Sequence, residues 1–260
     1  MSDDVKQCCA RLYESELVTL LLGDSFHPGG PALTERLGEL LALTPDAHVL
    51  DVAAGRGTSA FTLARRFGCT VTGVDLSAPN IARAQHDAAA LPMASRLTFA
   101  VGDAERLPID DASVDAIICE CAFCTFPDKA LAAKEFARVL KTSGRVGMSD
   151  LTRARASGEE FADLMGWIAC LAGAMSAAEY GAWLAGAGFL DIVIELHDGV
   201  LLEMIEEIGR RLFATEVLSG LDKIDIRGVD LQTAKRLAHE ALVAVRAGRL
   251  GYAIVCAAKS

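Results

Sequence analysis

The sequence predicts an α/β protein built on a doubly wound, mostly parallel sheet of seven strands, with helices before the sheet and a helical insertion ahead of its last strand. Three observations predict it. From His48 onward, short apolar runs alternate with helical stretches. The runs are continuously apolar rather than alternating, as strands covered on both faces are. Aspartate and glycine recur at the carboxyl ends of consecutive runs, the edge where open α/β sheets bind ligands.

The elements follow in order. Asp3 to Leu22 carries a helical apolar pattern, GDSFHPGG (Gly23–Gly30) interrupts it, and Thr34 to Leu43 is helical again until Pro45. VLDVAA precedes a helix over Thr58–Phe67, and CTVTGVDL precedes one over Pro79–Ala90. LTFAVGD leads through a turn to VDAIICEC, then a helix over Asp128–Leu140 and the strand GRVGMSDL. Helical segments follow over Glu159–Leu171 and Ser176–Ala187, then the strand FLDIVIEL. Two helices, Leu202–Leu218 and Leu231–Ala247, come before a closing strand, LGYAIVCAAK. Residues 200–247 are the best candidate for an inserted helical unit in a core of 46–199 and 248–260, with 1–45 a separate helical segment.

The chain has 260 residues, 52% of them apolar, enough for one large core. Its formal net charge of −10 disfavours a nucleic-acid partner, which needs a Lys/Arg stripe. The acidic opening MSDDVKQCCA lacks the apolar stretch of a signal peptide, and no apolar run reaches the roughly 18–20 residues of a membrane span. A cytoplasmic protein is expected, with its eight cysteines mostly reduced thiols.

DVAAGRGTSA (Asp51–Ala60) is the most informative stretch. It leaves an apolar strand, turns through Gly55 and Gly57 and opens a helix, which brings the backbone close to a ligand. Asp75 ends the second strand, where a carboxylate accepts both hydroxyl protons of a ribose. Asp103 ends the third, where it can receive an exocyclic amine of a base. A strand-end aspartate alone is often only a helix cap; three polar signals on consecutive strands are harder to explain that way. Gly55-x-Gly57-x-x-Ala60 also fits a nicotinamide dinucleotide fingerprint, but Asp51 is no part of that motif.

VLDVAAGRG, GVDLS, GDAERLPIDDASVDAI and FARVLKTSGRV together resemble the class I S-adenosylmethionine-dependent methyltransferases, over about Ala47 to Leu151. Ala54 stands where many members have another small residue or glycine. The resemblance implies a Rossmann-like methyltransferase fold, an N-terminal helical lid, and S-adenosyl-L-methionine as cofactor in preference to a dinucleotide. It implies that Asp51, Ala53, Gly55 and Gly57 surround the methionine part, Asp75 and Leu76 the ribose, and Asp103 and Ala104 the adenine. Glu120 and Cys121, ending the fourth strand beside the first, would face the same crevice.

The acceptor needs a lone pair aimed at the methyl group, and a base only if it loses a proton. Cys119 and Cys121 lie two apart on a strand and so share a side, with Cys119 the deeper, a core filler. Cys124 lies in the turn before Pro127. C-x-C-x-x-C without a second pair is a poor zinc pattern. ECAFCTFPDKALAAKEFARVLKTSGRVGMSD and WIACLAGAMSAAEYGAWLAGAGFLDIVI are similar to two thiol segments of arsenite methyltransferases. This implies that Cys121 and Cys170 are two of the thiolates holding trivalent arsenic, a soft centre suited to sulfur. That family has a further Cys before its first motif; here the segment is GDSFHPGG, with His27, and Cys8 and Cys9 are the only earlier thiols. His27 is either a turn residue or an acceptor-side base on the lid, with Tyr13 a neighbour there. The other expectations are a small organic acceptor with His27 as base, or a cofactor-binding module without catalysis. A homodimer packing through residues 200–247 is a further possibility.

Overall fold

The computed structural model describes residues 27–154, 173–220 and 230–260. The expected helices over Asp3–Leu22 and Glu159–Leu171, together with Cys8, Cys9, Tyr13 and Cys170, lie outside these residues. Helix α1 spans Gly30–Leu40, and strand β1 (His48–Val52) leads to α2 (Thr58–Phe67). β2 (Thr70–Asp75), α3 (Ala78–Ala89) and β3 (Leu97–Val101) follow. β4 (Val114–Glu120), α4 (Lys129–Val139) and β5 (Leu140–Arg153) complete the parallel half. Then come α5 (Ala177–Gly186), β6 (Phe189–Leu196), α6 (Asp198–Gly220), α7 (Leu231–Arg246) and β7 (Leu250–Lys259).

The strands form one seven-stranded sheet in the order β3-β2-β1-β4-β5-β7-β6. β1 to β5 run parallel; β7 inserts antiparallel between β5 and β6. Strand order reverses between β1 and β4, so the ends of these two strands flank the crevice that doubly wound sheets use for ligands. The central strands are buried on both faces, with Val49, Leu50, Val52, Ile117 and Ile118 almost without solvent contact. Such strands need helices on both sides, and α1 supplies part of one cover by packing on α2 and β5. Gly147 of β5 makes that approach possible: a Cβ there would lie 2.5 Å from Leu37 Cδ1. On the far side, α5 starts in a Ser176–Glu179 capping box, and Tyr180 donates a 2.8 Å hydrogen bond to the Leu151 carbonyl of β5.

Four details differ from the sequence reading. α1 begins at Gly30, four residues before Thr34, because Pro31 presets the backbone of a first helical turn. α6 begins at Asp198, whose carboxylate accepts the Tyr252 N–H of β7 at 2.9 Å. β6 is apolar in sequence yet mostly exposed, because it is the sheet edge; a bulge between Leu190 and Val193, with Asp191 at φ 53°, breaks its ladder. Cys121 is not on β4: the strand ends at Glu120 and Cys121 turns to φ 52°, so alternation along a strand does not fix its side.

Candidate functional site

The crevice is built from the ends of β1, β2 and β4 and the residues just past β3. After Val52 the chain turns sharply: Ala53 has φ 60°, Gly55 φ 53° and Gly57 φ 82°. Gly57 N–H donates to the Ala54 carbonyl at 2.8 Å, and α2 starts at the next residue. Glycine is needed at 57 twice over. Its backbone is left-handed, and a Cβ would sit 2.8 Å from Phe99 Cζ and 2.9 Å from Phe61 Cζ. These two rings meet edge to face, centroids 5.8 Å apart, beneath the turn.

Asp75 braces the turn from the neighbouring strand. Its Oδ2 accepts Gly55 N–H and its Oδ1 accepts Ser77 N–H, each at 2.8 Å. Asp103 stands two residues beyond β3 rather than at its end, and its Oδ1 accepts Glu105 N–H at 2.9 Å. Asp51, inside β1, is only 2% exposed, and among the described residues its Oδ2 has no hydrogen-bond partner. Burial, then the nearby Glu120 and Asp75 carboxylates, push its pKa well above the usual carboxylate range. A buried, unpartnered carboxylate oxygen on a crevice wall matches a donor or cation brought by a ligand.

Glu120 is treated differently by its neighbours. Its Oε2 accepts the hydroxyls of Ser59 (2.7 Å) and Thr34 (2.8 Å), and its Oε1 accepts that of Ser149 (3.1 Å). His27 Nε2 lies 3.5 Å from Oε2 and 3.4 Å from Thr34 Oγ1, while Nδ1 lies 3.2 Å from the Pro28 carbonyl. Next along the chain, Cys121 N–H donates to the Ser149 carbonyl at 2.6 Å. Its left-handed backbone is sparsely populated for a residue with a side chain, as is that of Ala53; such positions cluster at functional sites.

One crevice brings together His27, Asp51, Ala53, Gly55, Asp75, Leu76, Asp103, Ala104, Glu120 and Cys121. Gly57 lies behind it as the hinge of the turn, and Cys170 is outside the described residues. Cys119 is buried at 0% exposure and its thiol pKa is pushed well above its ordinary value by burial and then by Asp150. Cys124 is buried in a short 3-10 turn, Phe123–Thr125, with its N–H donating to Asp150 Oδ2 at 2.9 Å. The sequence reading missed the three hydroxyls on Glu120. Ser59, in the first turn after the glycines, offered a signal; Thr34 and Ser149 did not, because only the tertiary fold brings them there. It also missed Thr125 and Phe126, which line the wall beyond Cys121.

Residues 50–148 match the family model described as a methyltransferase domain. Two similar proteins and one solved structure narrow the comparison. An arsenite methyltransferase of Halobacterium salinarum is 31% identical over 160 residues, 60% of this chain and 41% of that protein. A 27-O-demethylrifamycin SV methyltransferase of Amycolatopsis mediterranei is 29% identical over 148 residues, 52% of this chain and 54% of that protein. The chain spans about half the length of the first curated relatives it matches. The fold is that of the geranyl diphosphate C-methyltransferase from Streptomyces coelicolor A3(2), solved with Mg2+, geranyl diphosphate and S-adenosyl-L-homocysteine. That structure has a TM-score of 0.77 at 20% identity, covering 98% of each chain. Among the described residues, no helix is long and apolar enough to cross a membrane.

Proposed function

We propose that the crevice binds S-adenosyl-L-methionine and that the protein transfers its methyl group to a small-molecule acceptor. The observation that carries this is the unpartnered Oδ2 of Asp51, buried on the wall of a glycine turn that Asp75 braces from the next strand. The donor set fits the cofactor: Asp51 would receive its ammonium, Asp75 the ribose hydroxyls, and Asp103 with Ala104 the adenine edge. When bound, the cofactor supplies an electrophilic methyl on a sulfonium. The chain's part is then to hold the donor rigid, keep water out and present the acceptor in line. Gly55 and Gly57 let the backbone approach, and the Phe61–Phe99 pair fixes the turn from below.

Within this reading, the acceptor is arsenite or another thiophilic species. Cys121, half-buried on the crevice wall, and the similarity to an arsenite methyltransferase support it. Cys170 would be its partner thiolate. A small organic acceptor is the second reading, supported by His27 on the same wall and by the similarity to a rifamycin methyltransferase. We further propose that residues 1–45 form a lid and 200–247 an insertion through which two copies could pair, in the cytoplasm.

The test is methyl transfer from labelled S-adenosyl-L-methionine to arsenite, thiols and phenols, beside calorimetric titration with S-adenosyl-L-homocysteine. Binding without any turnover would leave a non-catalytic module. Methylation of a phenol with arsenite inert would remove the thiophilic reading. Loss of arsenite turnover in Cys121→Ser and Cys170→Ser, with cofactor-product binding retained, is the expected result.

A further inference from the structure

Two carboxylates face each other across the floor of the crevice, and the protein has spent them differently. An ionised carboxylate offers about four acceptor positions. On Glu120 three are taken by the hydroxyls of Thr34 and Ser59 on Oε2 and Ser149 on Oε1, and His27 Nε2 stands 3.5 Å from Oε2 beside the first two. On Asp51 one oxygen has no hydrogen-bond partner among the described residues. A ligand cation therefore finds its place at Asp51, while Glu120 is occupied with protein.

The donors on Glu120 come from three separate elements. Thr34 is on α1, and His27 is in the loop just before it. Ser59 is in the first turn of α2, two residues after the glycine turn. Ser149 is on β5 and accepts in turn from the buried Tyr252 hydroxyl of β7 at 3.1 Å. One carboxylate thus fastens α1 and the loop before it to the helix that follows the glycine turn and to β5.

The imidazole is committed by the same contacts. Nδ1 lies 3.2 Å from the Pro28 carbonyl oxygen, and a neutral ring has one hydrogen for its two nitrogens. Nε2 faces the Glu120 carboxylate and Thr34 Oγ1, whose own hydrogen goes to Glu120, so the stronger acceptor draws the ring hydrogen to Nε2 and leaves the Nδ1 lone pair against the Pro28 carbonyl. Neither nitrogen turns a free lone pair into the crevice, although the ring is part of its wall.

We infer that Glu120, through Thr34, Ser59 and His27, is a positioning residue that latches α1 and the loop before it to the cofactor turn, and that His27 is part of this latch and not the proton acceptor. This rests on the methyltransferase reading, and it narrows the acceptor class. The nucleophile is one that attacks without giving a proton to His27: a soft lone pair, as on arsenic or sulfur, or a group already ionised.

Thr34→Val is the cleanest probe, because Thr34 is fully buried and lies outside the crevice lining. A latch predicts that Thr34→Val and His27→Asn each weaken S-adenosyl-L-homocysteine binding by about five- to tenfold, the worth of one ordinary hydrogen bond, because the loss reaches the ligand only through the position of the turn. Thr34→Ser restores it. In turnover with arsenite or a phenol, both variants raise KM more than they lower kcat, and His27→Asn leaves the shape of the kcat/KM pH profile as in the wild type. A general base predicts the reverse: wild-type binding in both variants, with His27→Asn losing a hundredfold or more in kcat, in the range of about 100- to 10,000-fold for general acid–base catalysis, together with one limb of the profile. That result overturns the inference, as does Thr34→Val binding like the wild type. Should Thr34→Val fail to fold, Ser59→Ala cuts the same carboxylate from the α2 side and carries the same expectation. Failure of the wild type itself to bind S-adenosyl-L-homocysteine would instead sink the methyltransferase reading, before any variant is made.

Discussion

Asp51→Asn should make the unliganded protein more stable and its cofactor site weaker. Asp51 is 2% exposed, with Oδ2 unpartnered and two carboxylates close by. Its folded-state pKa is raised by burial, then by Glu120 and Asp75. A raised acid contributes its full stability below its unfolded pKa, near 3.8, and loses it as pH climbs through the folded value. At neutral pH the empty site is therefore under strain that asparagine, of the same shape, does not carry. Asparagine still buries an unpartnered polar atom but no charge; relief of the charge is worth about 1–3 kcal/mol, and about 1 kcal/mol moves the melting point of a protein near this size by roughly 2–4 °C. The ligand sees the opposite. Losing one charge-assisted hydrogen bond to the ammonium, about 1.5–3 kcal/mol, weakens binding about 10- to 150-fold. Thermal melts between pH 5 and 8 without ligand, and titration with S-adenosyl-L-homocysteine over the same range, read both. Wild-type affinity should rise with pH as Asp51 ionises, and the variant's should rise less. A variant that melts lower than the wild type, or binds equally well, would show that the unpartnered oxygen is not where the ligand cation sits.

Gly57→Ala places a methyl group against Phe61 and Phe99 in a left-handed backbone; it should cost about 1–3 kcal/mol, and an unchanged melting point would mean that the rings yield freely. Asp75→Asn retains only one acceptor oxygen for the two N–H groups of Gly55 and Ser77, and loses the charge beside the ribose position. S-adenosyl-L-homocysteine should bind at least about tenfold more weakly by calorimetry. Among the described cysteines, alkylation near pH 8 followed by peptide mapping should reach Cys121 first, with S-adenosyl-L-homocysteine slowing it. Burial raises the Cys69 thiol to about 11 and that of Cys256 to about 12, and Cys119 and Cys124 are closed to solvent. Equal labelling of Cys119 and Cys121 would contradict the positions of these two side chains.

The sheet was readable because its signals are local. Apolar runs such as VLDVA and DAIIC can only be strands covered on both faces, and the glycines after Asp51 could only end one. The crevice residues were readable for the same reason, since each sits at or just past a strand end and topology alone carries those ends to one edge. What escaped is what depends on distance in sequence. Thr34 and Glu120 are 86 residues apart and Glu120 and Ser149 are 29 apart, and no pattern along the chain pairs a hydroxyl with a carboxylate. The turn at Cys121 escaped because a left-handed cysteine has no sequence mark of its own. Exposure of β6 escaped because an apolar run looks the same at the edge of a sheet as at its centre.

β7 is the last strand of the sheet to leave the ribosome, yet it belongs in the sheet's interior. It forms two ladders at once, with β5 from Arg145↔Ala258 to Arg153↔Leu250 and with β6 from Phe189↔Lys259. During translation the strands that bear Asp51, Asp75 and Glu120 are therefore complete well before the far half of the sheet can close. Tyr252 then arrives on β7, and its hydroxyl reaches Ser149 and, through it, Glu120. The sheet's last strand in chain order thus supplies the hydroxyl that backs Ser149 against Glu120, so the glycine turn is synthesised before the support of its neighbouring carboxylate is complete.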